Sequence, residues 1–381
     1  MRSLAETVAQ FWSNIQGTLF PYLEEVVGPL TKKQMQLIEI LEVIRIEQFI
    51  PDYSQYEGRP RKTRSAIARS FVAKMVYNMD STRALWERLR SDKNLRRICG
   101  WEGPRGVPSE STFSRAFFEF AEMGLPQKVH EALVTKAYQQ TIVLHNSRDS
   151  TAIEAREKPV VKQRAIDAQA KRKRGRPQKG QEPVPAEPSR LERQMTMSLE
   201  EMLKDLPHIC NVGTKKNSKG HAEHWIGYKL HLDTADGVVP LSAVLTSASV
   251  HDSQVAIPLA TITAKRVVNL YDLMDSAYDA PLILIHSKSL GHVPLVDTNP
   301  RRDKALAQEL EEESRRQKFI NFESPEKVRY KNRTTAERAN ARLKDEFGGR
   351  LVRVRGSTKV MCHLMFGVLA LTADQLMRLV T

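Results

Sequence analysis

The chain has 381 residues, 41% of them hydrophobic, and a formal net charge of +14. Such a length and apolar share suffice for a buried core and two domains, and they exclude a wholly disordered chain. The basic excess calls for a polyanionic partner, nucleic acid ahead of an anionic membrane surface.

Cys99, Cys210 and Cys362 are isolated, with no C-x-x-C among them, which fits a reducing compartment and argues against a structural zinc site. No run of eighteen apolar residues is present, and the opening MRSLAETVAQFW lacks the apolar stretch of a signal peptide. A cytoplasmic protein is expected.

Residues 34–50 are apolar at helical spacing and stop at Pro51. After a polar loop with Gly58-Arg59-Pro60, residues 65–78 read as a second helix. Ser81 caps a third, which carries Leu85, Trp86, Leu89 and Leu95, and Pro108 to Ser111 start a fourth bearing Phe113, Phe117, Phe118 and Phe120. Arg59, Arg61, Lys62, Arg64, Arg88, Arg90, Arg96, Arg97 and Arg115 make a helix-turn-helix-like DNA reader one reading of this region. The other is an ordinary helical domain with solvated cations. Residues 1–140 are taken as the helical N-terminal DNA-binding domain and 141–381 as the catalytic domain.

The apolar run Thr141-Ile142-Val143-Leu144 predicts a strand leading towards Asp149. From Arg156 to Glu182 the chain holds ten Lys/Arg and three Asp/Glu, followed by prolines at 183, 185 and 188. That composition forms no core, so a basic flexible linker is expected at about 156–190. Arg174-Gly175-Arg176-Pro177 matches the core of an AT-hook, which marks Arg174 and Arg176 as DNA-binding candidates, while phosphate attraction without sequence preference is the simpler account. Ser198 and Glu201 form a capping box for a short helix.

Residues 225–247 read as a hairpin turning at Asp236-Gly237, with Trp225 either stacking on an unpaired base or packing in the core. Asp252 is read first as the N-cap of a helix near 253–265, and second as a group supporting the site. Residues 267–274 predict another strand, ending at Asp275. One more is expected at Val293–Asp297, then a charged helix at Asp303–Lys318 and a final helix from Ser357 that packs on the sheet, with Cys362-His363 as packing residues. The short interval from Asp275 to Glu337 leaves no room for a large inserted β domain. His145, His224, His231, His286 and His292 are read as structural or surface groups. The resulting sheet is a mixed, five-stranded one flanked by helices.

Residues 330–344, YKNRTTAERANARLK, place Tyr330, Arg333, Glu337 and Lys344 within an arc of roughly 60° on one helix. Taken alone, this is a solvated face with an i,i+4 ion pair. Set beside Asp149 and Asp275, it becomes the ordered Asp, Asp, Glu set needed for two-metal phosphoryl transfer, because Mg²⁺ prefers oxygen ligands.

The set, with Y-x2-R-x3-E-x6-K around its glutamate, resembles the DDE transposases of bacterial insertion sequences, in the branch with the Y-R-E-K signature. The resemblance takes in HWIGYKLHLDTADGVVPLSAVLTSASVHDSQVAIPL at 224–259, DSAYD at 275–279 and the 330–344 stretch, and covers most of 141–381. Residues 34–140 resemble the helical domain that accompanies such enzymes. The resemblance implies a ribonuclease H-like α/β fold. It implies Asp149, Asp275 and Glu337 as catalytic metal ligands for two Mg²⁺, or Mn²⁺, while Tyr330, Arg333 and Lys344, sharing the helical face with Glu337, are read as groups that grip the phosphates beside the scissile bond. It implies terminal inverted repeats and target DNA as partners, a homodimer on paired ends, and cleavage followed by strand transfer in a bacterial cytoplasm, at the nucleoid when bound to DNA. A transposase-derived DNA-binding regulator and a metal-dependent nuclease are the alternatives. One departure stands out: Asn146-Ser147-Arg148 intervenes between the apolar run and Asp149, leaving the strand end open.

Overall fold

In the computed structural model, which describes residues 19–52, 62–160, 187–216, 220–301 and 303–379, helices come first and the sheet second. The helices are α1 (Phe20–Val27), α2 (Lys32–Ile44), α3 (Arg64–Val76), α4 (Thr82–Ser91), α5 (Lys93–Ile98), α6 (Glu110–Met123) and α7 (Leu125–Tyr138). Their starts follow the capping chemistry: Thr31 and Gln34 form a box at α2, and Ser81 Oγ accepts from the Ala84 amide at α4. Two expected helices are cut short. Arg45, at φ 40, ends α2 in the left-handed region. Asp92 accepts from the Leu95 amide and starts a new helix, dividing the third expected helix into α4 and α5.

The second part runs β1 (Val143–Glu154), α8 (Arg190–Gln194), α9 (Leu199–Asp205), β2 (Asn211–Lys216), β3 (Ala222–Ala235), β4 (Val239–Ser247), α10 (Ser253–Ala264), β5 (Asn269–Met274), α11 (Pro281–Ser289) and β6 (Val293–Val296). Then follow α12 (Lys304–Phe319), α13 (Pro325–Tyr330), α14 (Thr334–Glu346) and α15 (Ser357–Arg378). The hairpin turns where expected, with Gly237 at φ 75, and the Ser198/Glu201 box starts α9. Among the described residues the sheet has six strands, one more than expected, because β2 adds to β3. β3 pairs antiparallel with β1, β2 and β4, whereas β1, β5 and β6 run parallel. This mixed sheet flanked by helices is consistent with the ribonuclease H-like architecture expected.

The open question of the first strand is resolved. β1 continues through Asn146-Ser147-Arg148, so Asp149 lies inside the strand, opposite Leu232. These polar residues stay in a buried strand because each finds a partner. Arg148 makes a two-pronged ion pair with Asp233, at 2.8 Å on both arms, with both side chains almost wholly buried. Asn146 Nδ2 bridges Asp233 (3.0 Å) and Asp272 (3.1 Å), tying β1 to β3 and β5. Asp272 also accepts from Ser287 and pairs with His292, and these contacts hold its carboxyl well below the usual range despite burial.

Helix α15 packs on β4 and on α2, α3, α6 and α7. Phe366 lies 5.7 Å from Phe71 and 6.3 Å from Phe117, ring centre to ring centre. One apolar cluster runs from these phenylalanines through Leu364 to Ile153 and Leu232, so helices and sheet share a core. α15 is long and apolar enough to cross a membrane, yet 94% of its apolar window is buried inside the fold. Cys362 and His363 pack as expected, and His363 Nε2 lies 2.9 Å from the Gly348 carbonyl.

Candidate active site

The parallel register of β1 and β5 sets the site. Ser147 lies beside Leu273, so two residues further on Asp149 comes alongside Asp275, the residue that follows β5. Burial pushes the Asp149 carboxyl up to about 6. The Ser150 amide and Asn340 pull it down, and the negative charge of Asp275 raises it. Asp275 is also raised, first by burial, with Asp252 and Asp297 adding to the effect and Arg333 opposing it. Two carboxylates held this close at half-buried positions resist ionising together unless cations approach.

Helix α14 lies across β1 and β3. Its buried face, Ala336, Ala339, Asn340 and Leu343, seats it there, and Asn340 Nδ2 donates to Asp149 Oδ2 at 3.0 Å. The single helix expected over 330–344 is broken. Tyr330 ends α13, a 3-10 turn (Lys331–Arg333) follows, and α14 begins at Thr334. Tyr330 therefore sits off the α14 face, and its hydroxyl donates to Asp297 at 2.8 Å. Arg333 remains central. Its guanidinium lies over the Tyr330 ring at 5.9 Å, offsets the charge of Asp149 and Asp275, and bonds Glu337 at 2.7 Å. Glu337 is half exposed at the mouth of the site.

Asp252 starts α10 but caps nothing, since its side chain makes no capping bond. It accepts instead from Lys229 Nζ at 2.9 Å and faces the buried His231 Nδ1 at 3.8 Å. Burial opposes its charge, yet His231, Lys229 and Ser150 hold its carboxyl below the usual range. It joins the acidic group from the α10 side.

Lys344 lies further along α14. Burial, Lys215 and Arg350 lower its proton affinity, while Glu154 and Asp345 oppose them. Arg174 and Arg176 lie outside the described residues. The Trp225 indole is not a core residue. It is half-buried, lies flat against Gly213 where a Cβ would sit 2.3 Å from the ring, and donates to the Tyr228 carbonyl at 3.0 Å. Among the N-terminal cations, Arg64 is bound to Glu119 at 3.0 Å, and Arg96 is buried on the Leu89 and Arg90 carbonyls. Sequence reasoning missed Asn340, Lys229 and Asp297. Asn340 alone carried a signal, three residues after Glu337 on a helix.

With oxygen donors only, the Asp149/Asp275 pair has the chemistry of a hard divalent cation site. Among the described residues, however, no three Asp, Glu, His or Cys side chains are gathered as a metal-ligating group. Residues 149–373 match the family described as Transposase DDE domain, more than half of the chain. The chain belongs to the DDE transposase family. Residues 28–118 of this transposase match a second family, Transposase domain (DUF772), so the helical region is of transposase type as well. No curated protein and no solved structure matches the chain. Asp149, Asp275 and Glu337 all fall within the DDE match, which opens at Asp149.

Proposed function

We propose that this transposase cuts DNA at the ends of its own element and joins the freed end to target DNA, using Asp149, Asp275 and Glu337. The observation that carries this reading is the register of β1 and β5, which sets the two aspartates side by side beneath the helix that bears Glu337. In-line attack of water on phosphorus breaks the P–O3′ bond and leaves a 3′-hydroxyl, and that hydroxyl then attacks a target phosphorus at the same site. The three carboxylates would hold two divalent ions, Mg²⁺ or Mn²⁺, which when bound stabilise charge on the attacking and leaving oxygens.

The chain's own groups do the rest. Arg333, now paired with Glu337, would turn to a phosphate beside the scissile bond as Glu337 turns inward. Tyr330 and Lys344 grip the flanking backbone. Asp252, with Lys229, steadies Ser150 beside Asp149. The helices before residue 140 read the terminal inverted repeats, and two copies act on paired ends.

The test incubates wild type and Glu337→Gln with labelled DNA bearing the flanking inverted repeats, with and without Mg²⁺. The expected result is metal-dependent cutting at the repeat ends and joining to a second DNA, both lost in the variant. Cutting without joining would make the protein a nuclease. Binding without cutting by either protein would make it a regulator.

A further inference from the structure

Among the described residues no third strand pairs with β2–β3 beyond Gly227, where the last backbone bond to β1's extension runs from the Ala155 amide to the Ile226 carbonyl at 3.0 Å. β1 ends at the pair Glu154–Gly227, and β4 ends at the pair Ser247–Tyr228. Asn211 to Lys216 and Ala222 to Gly227 continue as a two-stranded ribbon, about 20 Å long at the rise of a strand. Val212 and Ile226 are exposed on it, at 47% and 44%. Such a ribbon is marginal alone, and here the Trp225 indole clamps it by lying on Gly213 in the opposite strand.

The charge on the ribbon is uneven. Its described residues hold two lysines, Lys215 and Lys216, against one carboxylate, Glu223, which stands opposite Lys215. Lys215 lies close enough to Lys344 of α14 to disfavour its charge, and Arg350 adds to the same effect. Asp345 pairs with Arg350, but no salt bridge is formed by Lys215 or Lys344 among the described residues. Like charges gathered at a half-buried position cost free energy that a bound anion repays.

We propose that the β2–β3 ribbon, through Lys215 acting with Lys344 and Arg350, is a second DNA-backbone contact that grips the same duplex away from the cleavage point. The proposal rests on the reading of Asp149 and Asp275 as the cutting site. From its N-cap Arg333 to Lys344, α14 rises about 16 Å. At one phosphate per 3.4 Å of strand, the ribbon meets the backbone about five nucleotides from the scissile bond. A two-stranded ribbon also has the width that a major groove admits. The contact is to phosphate, so it acts on any sequence.

The experiment measures binding of the full chain to fluorescent duplexes with and without the inverted repeat, across a salt series, for wild type, Lys215→Ala, Lys215→Glu and Lys215→Arg. Lys215→Ala is expected to lower the slope of log affinity against log salt by about one and to weaken binding about fivefold at 0.15 M salt, equally on both duplexes. Lys215→Glu should weaken it further, and Lys215→Arg should restore it. Circular dichroism checks that each variant is folded. If wild type binds with a steep salt slope and all three variants share it, the ribbon proposal is overturned and the transposase reading stands. If wild type shows no salt-dependent DNA binding, both fall.

Discussion

Asn340 Nδ2 donates to Asp149 Oδ2 at 3.0 Å, three residues along α14 from Glu337. The helix that presents the glutamate thereby also fixes the orientation of the first aspartate. Asn340 helps to hold down an Asp149 carboxyl that burial has raised to about 6. Asn340→Leu should move the Asp149 titration in the metal-free protein to higher pH, read by carbon NMR of its carboxyl. An unmoved midpoint would remove Asn340 from the site.

Asp149 should cost the fold stability at neutral pH. Its folded-state pKa, about 6, lies above the ordinary 3.8, so stability is lost as pH rises between these values and the carboxylate ionises. Asp149→Asn keeps the shape without the charge. It should raise stability at pH 7 by about 1–2 kcal/mol while abolishing cleavage. A denaturant series at pH 4 and pH 7 should show the gain at pH 7 only.

Glu337 stands differently. Its pair with Arg333 is exposed, with the Glu337 side chain at 50%, and such pairs contribute about 0–1 kcal/mol. Glu337→Gln should therefore melt within a few degrees of wild type, and loss of cleavage in that variant would reflect chemistry and not unfolding.

The buried Arg148–Asp233 pair should behave in the opposite way. Arg148→Ala strands a carboxylate in the interior and should destabilise by about 3–5 kcal/mol. Arg148→Met combined with Asp233→Leu removes both charges and should recover most of that loss. Equal destabilisation by the single and double variants, measured in urea, would refute the account.

Gly227 is held at φ 153, and a Cβ there would lie 2.1 Å from the Ile153 carbonyl oxygen. Gly227→Ala should separate β1 from β3 at the base of the ribbon, with a loss of about 2 kcal/mol or more. Thermal melting gives the direct measure.

Much of this was legible in the residues. The hairpin showed in its alternation and its Asp236-Gly237 turn, and the helix starts showed in Ser81 and Ser198. Polar satisfaction was not legible. Asn146-Ser147-Arg148 reads as a strand end because its partners, Asp233 and Asp272, are distant in sequence. β2 has a glycine and two lysines in six residues, and only Trp225 across from Gly213 explains why it pairs. Asp252 looked like a cap because nothing local points to Lys229. The break at Lys331–Arg333 was invisible because 330–344 is rich in helix formers, and the pull of Asp297 on Tyr330 comes from another element.

Helix α15 comes later in the chain than every element it packs against. As the polypeptide leaves the ribosome, α3, α6 and β4 emerge first, with Phe71 and Phe117 lacking the ring of Phe366 that later closes over them. Those apolar faces stay exposed, open to chaperones and to aggregation, until α15 arrives. Maturation of the enzyme is thus timed by its own translation, and a nascent chain released before α15 is made should be cleared as an unfolded polypeptide and not persist as a DNA-binding fragment.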